Sequence, residues 1–458
     1  VIVEARDLVD IVGEGGLLTG ADVRARAAGA WNPEPVAADA IVRPRSTEEV
    51  AAVLALCHRH GQPVVPHGGL TGLVEGAHTR AGDLALSTER MNAIEDLDEA
   101  GRTLTVQAGA PLQAVQEAAA DAGLLFALDL GARGSATVGG NLATNAGGNR
   151  VIRYGMAREQ VLGLEAVLAD GTVLSAMNHM LKNNAALDLK QLFIGSEGTL
   201  GVITRAVLRL RERPASRCTA LAATDRLDRV IGLLKHADAA LGGTLSAYEV
   251  LWRAFYRLVT RPEAGHAAPL GREHAYYVLL EAEGGDAEHD PARFEAVMAE
   301  AMEAGLVTDA VVATSHRERN ALWALRDDVE QAHDQGPHFT FDVSLRIADM
   351  EAYVAQVRAD LDATFPANRT WVFGHLGDGN LHLVVNVGDD EPDTRRRVEG
   401  IVYEPLAVIG GSVSAEHGIG LEKKTWLHLS RSDAEIETLR RLKRALDPKG
   451  ILNPGKVF

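Results

Sequence analysis

The sequence predicts an α+β protein built from two unlike halves, on three observations. Apolar strand-like runs alternate with helical patterns and glycine-rich loops as far as about residue 211. At Arg211-Glu212-Arg213-Pro214 the character shifts to longer helical patterns with intervening strands, which suggests helices over an antiparallel sheet. At 458 residues the chain is also too long for one ordinary core, so two or three domains are expected.

Taken in order, residues 1–40 read as polar and helical, ending at Trp31-Asn32-Pro33, and Ile41-Val42-Arg43-Pro44 reads as a short strand. Ser46 then caps a helix, with Glu49 as its reciprocal partner and Val50, Val53, Leu54 and Cys57 on one face. Pro63-Val64-Val65-Pro66 is a strand running into a loop over 67–76. Residues 103–109 form another strand, and Pro111 opens a helix reaching Gly123. Strands follow at 161–168, 172–174 and 201–210, with a turn at Asp170-Gly171. Beyond Pro214, helices are expected over 227–241, 291–304 and 349–365, with a strand at 275–281. The acidic run over 281–286 reads as a solvated loop. The last helix, 434–446, stops at Asp447-Pro448-Lys449-Gly450.

Composition excludes several classes. Charged residues at 24% and hydrophobic residues at 46% are those of a soluble globular protein. A net charge of −17 argues against nucleic-acid binding and against an electrostatic hold on anionic lipid. No apolar run approaches the roughly 20 residues of a transmembrane helix. The first residues carry acid early and lack the marks of a signal peptide, and Cys57 and Cys218 are too few for a disulfide framework. A reducing cytoplasm is the expected compartment.

Two groups of motifs carry chemistry. In Gly374-His375-Leu376-Gly377-Asp378-Gly379-Asn380-Leu381-His382 the central residues are a turn signal. With Trp371-Val372-Phe373 as the incoming strand and residues 381–385 as the outgoing one, the turn folds His375 beside His382. Ser414-Ala415-Glu416-His417-Gly418 adds a carboxylate and a further imidazole, a set that suits zinc or a similar cation with a proton acceptor beside it. The bland alternative is a hairpin whose histidines only satisfy hydrogen bonds. The second group is three glycine-rich loops: 66–73, 134–148 and 194–204. Glycine admits positive φ and close backbone approach, so successive N–H groups can converge on phosphate oxygens. Three such loops in one half of the chain point to a pyrophosphate-containing cofactor. The phosphate-transfer loop ending in Gly-Lys-Ser/Thr and the dinucleotide fingerprint are both missing.

These loops, with Arg153-Tyr154-Gly155, resemble the FAD-binding domain of the vanillyl-alcohol-oxidase superfamily. Residues 374–382, 414–420 and the tail 447–456 resemble its branch of D-2-hydroxyacid dehydrogenases, which includes the D-lactate and D-2-hydroxyglutarate enzymes. Leu189-Lys190-Gln191-Leu192-Phe193 is similar to the hydroxyglutarate enzymes in particular. The resemblance implies an FAD-binding domain of two α/β subdomains over 1–212, a cap over 213–410 with the metal-binding hairpin, and a segment 411–458 returning to the first domain. It implies non-covalent FAD held by Pro66, His67, Gly68, Gly69, Leu70, Thr71, Gly72, Leu73, Gly134, Thr137, Gly139, Gly140, Asn141, Thr144, Asn145, Gly147, Gly148, Tyr154, Gly155, Glu197, Gly198, Gly201, Ile203 and Asn453. It implies His375, His382 and Glu416 as ligands of zinc, with manganese or iron as alternatives, and His417 as the base that takes the hydroxyl proton.

The implied reaction is oxidation of a D-2-hydroxy acid to the 2-oxo acid, with hydride passing to flavin and electrons to a quinone or an electron-transfer flavoprotein. A homodimer fits the branch as well. Arg326 matches an arginine that binds substrate carboxylate in the hydroxyglutarate enzymes. Three neighbours depart from that pattern: Glu330 replaces a threonine, Thr340 a lysine and Val384 an asparagine. Glu330, four residues after Arg326, is placed to pair with it if one helix carries both. These replacements favour a short or apolar substrate side chain, as in D-lactate, with D-2-hydroxyglutarate as the rival. A flavin subunit of a glycolate-oxidase-type complex and an FAD-using ether-lipid synthase are the other readings.

Overall fold

The computed structural model describes residues 2–458, which divide into two compact units. The first comprises residues 2–148, 155–213 and 416–458; the second comprises 149–154 and 214–415.

The first unit holds two sheets. In one, Ala40–Val42, Leu84–Ser87 and Val64–His67 run parallel and Leu17–Thr19 closes the edge antiparallel. The other is antiparallel, in the order Val173–Ala176, Val161–Val167, Val202–Arg209, Thr103–Gln107, Ile94–Asp98. The helix Thr47–His60 buries Val50, Val53, Leu54 and Cys57 in a core shared with Val64, Val167 and Val202. Ser46 Oγ accepts the Glu49 N–H at 3.3 Å, but the Glu49 carboxylate accepts from Arg45 N–H at 2.8 Å, so the reciprocal half of the expected cap is displaced by one residue. The tail closes on the same core. Val64 N–H donates to Ile451 O and Asn453 N–H to Val64 O, each at 2.8 Å, and Ile451 and Leu452 are buried.

The N-terminal forty residues differ from expectation. Only Ala5–Val12 is a sustained helix, followed by Leu17–Thr19 and the hairpin Ala27–Gly29 with Asn32–Pro35. Gly13, at φ 73°, stops the first helix, and Gly20, at φ 57°, turns the chain into the single helical turn Ala21–Arg24.

The second unit is a seven-stranded antiparallel sheet in the order Asp309–Val312, Ser216–Thr224, Tyr276–Gly284, Leu245–Trp252, Arg369–Gly374, Asn380–Asn386, Phe339–Ser344. The helices Leu227–Leu241, Asp290–Glu303 and Met350–Thr364 lie within a residue or so of their expected ranges. His316–Asp327 and Arg253–Val259 pack on the face that carries Leu221, Leu251, Leu279, Phe373 and Val384.

The acidic run departs from its expected solvated loop over residues 281–284, while Gly285 and Asp286 are exposed. Glu281 and Glu283 are fully buried in the strand Tyr276–Gly284, on one face by strand alternation. Arg150 Nη1 lies 2.8 Å from Glu281 and 2.7 Å from Glu283, and Arg217 Nη2 lies 2.6 Å from Glu283. Trp323 Nε1 and Thr219 Oγ1 also donate to Glu281, at 2.9 and 2.8 Å. Burial works against the Glu281 carboxylate, yet Arg150 and these donors hold it below the usual carboxylate range. Charge that reads as solvated in one dimension is here compensated by partners distant in sequence.

Candidate active site

The glycine loops converge within the first unit. Gly68 lies where an added Cβ would meet Thr137 Oγ1 at 2.7 Å, and at Gly69 it would meet Ser135 O at 1.9 Å, so loops 66–73 and 134–148 touch backbone to backbone. Thr137 caps the short helix Val138–Ala143 by accepting the Gly140 N–H. Gly139 sits against Ala108, and Asn141 and Gly147 are buried. The third loop docks on the second: Gly195 N–H donates to Leu142 O at 2.9 Å and Glu197 N–H to Ala143 O at 2.8 Å. Gly198 packs on Pro66, Gly201 on Phe193, and Ile203 in the core. Leu70, Asn145 and Glu197 hold positive φ, an uncommon state for residues with a Cβ. Asn141 Nδ2 and Ser196 Oγ are buried without a hydrogen-bond partner among the described residues. Buried polar atoms of this kind normally have partners, and donors left over in a glycine cradle fit an anionic cofactor.

Other residues of the expected FAD set take different places. Gly72, Leu73 and Gly134 are exposed and Thr71 is half-buried. Thr144 Oγ1 donates back to Gly140 O at 3.1 Å, and Asn145 Oδ1 accepts the Arg158 N–H at 3.0 Å. Gly155, at φ 76°, backs onto the Glu159 side chain. Tyr154 belongs to the second unit, where its hydroxyl donates to Glu283 at 2.8 Å. Asn453 Nδ2 ties the tail to Glu197 O at 2.7 Å and Gly76 O at 2.9 Å.

His67 is buried, and its Nε2–H donates to Ala77 O at 3.0 Å, so the ring closes its own loop. Burial lowers its pKa from 6.5 to about 4. Because the folded value lies below the unfolded one, the unfolded chain binds more protons between them, and stability is lost as pH falls through that window. We expect His67→Gln to remove an acid-sensitive contribution of about 3 kcal/mol between pH 6.5 and 4, measured by urea unfolding of both proteins across that range.

The segment after Ala415 is held on these loops by backbone bonds. Glu416 Oε2 accepts the Gly148 N–H at 2.7 Å. The Glu197 carboxylate accepts the N–H groups of Ile419 and Gly420 at 2.7 and 2.8 Å. Burial pushes the Glu197 carboxyl up, while these two N–H groups and Lys423 pull the other way. His417 is thus carried between two anchors, each on a different glycine loop.

In the second unit the hairpin forms as expected. Arg369–Gly374 and Asn380–Asn386 pair with Phe373 opposite His382, and Gly379 turns at φ 89°. The His375 and His382 rings lie edge to face, 5.2 Å between centroids. Each ring has its own acidic neighbour, and the sequence reading missed both. Glu249 Oε1 lies 2.6 Å from His375 Nδ1, and Asp342 Oδ1 lies 3.9 Å from His382 Nδ1. Glu249 Oε2 also accepts from Arg326 Nε at 2.6 Å, and Arg326 Nη2 lies 3.3 Å from His375 Nε2. Burial alone would raise the Glu249 pKa, but His375 and Arg326 bring it down to about 2. Asp342 accepts from Asn380 Nδ2 at 2.8 Å and from Ala415 N–H at 3.1 Å.

Glu330 does not pair with Arg326. The helix ends at Asp327 and Glu330 starts another, which breaks the four-residue spacing; Glu330 faces His333 at 3.8 Å instead. Thr340 is opposite Val384 across the sheet, and Val384 is packed in the core with Leu322, Leu325 and Phe373.

The glycine cradle with leftover donors fits an anionic cofactor, and the comparisons with known proteins identify the class as a flavin-dependent oxidoreductase. Residues 213–457 match the FAD linked oxidases, C-terminal domain, and residues 38–176 match the FAD binding domain family. The chain belongs to the FAD-linked oxidases, in the D-2-hydroxyacid dehydrogenase branch. It is 41% identical over 93% of its length to a D-2-hydroxyglutarate dehydrogenase of Xanthomonas citri pv. viticola, covering 90% of that protein. Identity is also 41% to the mitochondrial D-2-hydroxyglutarate dehydrogenase of Bos taurus, over 91% of this chain and 76% of that one. A Schizosaccharomyces pombe protein provisionally named as a mitochondrial D-lactate dehydrogenase is 36% identical over 91% of this chain and 81% of its own. Among solved structures, p-cresol methylhydroxylase with substrate bound superposes with a TM-score of 0.77 at 15% identity, covering 99% of this chain and 95% of that one. For alkyldihydroxyacetonephosphate synthase the TM-score is 0.75 at 17% identity, covering 98% and 85%. These two likenesses establish the vanillyl-alcohol-oxidase-type fold. Among the described residues, no helix is long and apolar enough to cross a membrane.

Proposed function

We propose that the protein oxidises a D-2-hydroxy acid to its 2-oxo acid, using non-covalently bound FAD and a divalent cation, zinc in the first instance. The carrying observation is the pinning of the segment 416–420 to two of the glycine loops through Gly148 and Glu197. That arrangement attaches a carboxylate and an imidazole to the elements that would cradle the cofactor. His67, engaged with Ala77, supports dissociable rather than covalent flavin.

In this reading His375, His382 and Glu416 hold the cation. When bound, FAD supplies the two-electron acceptor for the substrate hydride. The cation supplies charge that orients the carboxylate and lowers the pKa of the α-hydroxyl. His417 accepts the hydroxyl proton at a ring nitrogen. Asp342 holds Ala415 in place and so sets where the next residue, Glu416, begins. Electrons leave to a non-nicotinamide acceptor, a quinone or an electron-transfer flavoprotein, and the setting is cytoplasmic.

The substrate side chain is short or apolar in the first reading, as in D-lactate. Arg326 is already met by Glu249, and Thr340 and Val384 offer no positive charge. The two relatives at 41% identity favour D-2-hydroxyglutarate as the second reading. Anaerobic addition of each acid, followed by the flavin's visible absorbance, tests both. Bleaching by D-lactate well ahead of D-2-hydroxyglutarate supports the first, and the reverse order the second. No bleaching by any D-2-hydroxy acid overturns the function.

A further inference from the structure

We propose that Glu197 is a positioning residue whose carboxylate fixes the stretch of backbone that carries His417. This rests on the reading above of His417 as the proton acceptor. The resemblance to FAD-binding domains places Glu197 in the cofactor set, but its side chain is turned to the chain itself. It is buried, with Oε1 accepting the Ile419 N–H at 2.7 Å and Oε2 the Gly420 N–H at 2.8 Å. Successive backbone N–H groups form a concavity suited to an anion. Here the anion is a carboxylate from the third glycine loop.

The surroundings are shaped for that contact. Gly418 holds φ 90°, and an added Cβ there would lie 2.9 Å from Glu197 Oε1. Glu197 is itself held at φ 53°, a state that disfavours a residue with a Cβ and that glycine adopts freely. A side chain kept where the backbone favours none points to a use for the carboxylate. The main chain of Glu197 is fixed from two directions. Its N–H donates to Ala143 O at 2.8 Å, and its own O accepts from Asn453 Nδ2 at 2.7 Å. The carboxylate thus projects from a fixed point and passes that position to residues 419 and 420. On the other side of His417, Glu416 accepts the Gly148 N–H at 2.7 Å. With consecutive Cα atoms about 3.8 Å apart, neither anchor leaves the residue between them far to travel. An amide cannot replace the carboxylate. Glutamine offers one acceptor oxygen and turns its NH2 group toward the second N–H, donor against donor.

The test uses full-length, FAD-loaded protein and compares Glu197→Gln with the wild type, then repeats the pair in a His417→Ala background. Anaerobic flavin reduction by D-lactate or D-2-hydroxyglutarate, whichever the wild type oxidises faster, is expected to slow about 10–100-fold, with KM within about threefold. In the His417→Ala background the same substitution should slow reduction less than about threefold, because it acts through the missing ring. Hydrogen exchange of the amides of residues 416–422 should be about tenfold faster in the Gln protein, a readout independent of turnover. Gly418→Ala crowds the same contact from the other side and carries the same comparisons if the Gln protein does not fold. A merely structural carboxylate would slow reduction equally in both backgrounds. That result, or an unchanged rate of reduction or of exchange in a folded variant, overturns the proposal. A wild-type protein that no D-2-hydroxy acid reduces overturns the function proposed above; the exchange measurement then decides by itself whether Glu197 holds the segment.

Discussion

Replacing His417 with alanine is expected to slow anaerobic reduction of the bound flavin by about 10²–10⁴-fold with little change in flavin content. The separation of the two effects follows from how the segment is held. Its anchors are the Gly148 N–H on Glu416 and the Glu197 carboxylate on the Ile419 and Gly420 N–H groups, none of which uses the imidazole. Removing the ring therefore takes away the proposed proton acceptor and leaves the backbone that presents it. Without a base, the hydroxyl proton must go to water as hydride departs, which forfeits the advantage of a positioned acceptor. Stopped-flow reduction with saturating substrate, alongside flavin-to-protein ratio and melting temperature, reads the two effects separately. A reduction rate within about threefold of wild type would remove His417 from the chemistry.

What the sequence made legible was local or periodic. The helix Leu227–Leu241 follows from its apolar spacing, and the hairpin at His375 and His382 from a turn between two apolar strands. The three loops announced themselves because glycine clusters are costly unless a backbone needs them. Legibility failed where partners are remote. Glu249 lies 126 positions from His375 and 77 from Arg326, and nothing around it marks it out. Glu281 and Glu283 read as solvated because Arg150 and Arg217 are invisible from the acidic run itself. Glu330 was misplaced for a smaller reason: an expected four-residue pairing spans a helix end at Asp327. The departures of Glu330, Thr340 and Val384 from the hydroxyglutarate pattern thus have unequal weight. Arg326, by contrast, is a buried charge met by Glu249 at 2.6 Å.

Removing the divalent cation with a strong chelator is expected to abolish turnover and to leave FAD bound, and the ligand variants should divide into two groups. His375→Ala and His382→Ala should retain no stoichiometric zinc by elemental analysis. Asp342→Asn should retain it with about 10–100-fold weaker affinity, as a supporting rather than a ligating group. The distinction rests on what each side chain already does. Asp342 accepts from Asn380 Nδ2 at 2.8 Å and Ala415 N–H at 3.1 Å, so it already holds the hairpin and the residue before Glu416. His375 has its Nδ1 committed to Glu249 at 2.6 Å and its Nε2 3.3 Å from Arg326 Nη2, so a cation bound at Nε2 would have to take the place of that contact. An Asp342→Asn protein without zinc, beside a His375→Ala protein that keeps it, would move the third ligand from the imidazole to the carboxylate. Turnover persisting above about a tenth of normal in demonstrably metal-free protein would place the orienting charge on the protein itself, with Arg326 as the remaining buried cation beside the histidines.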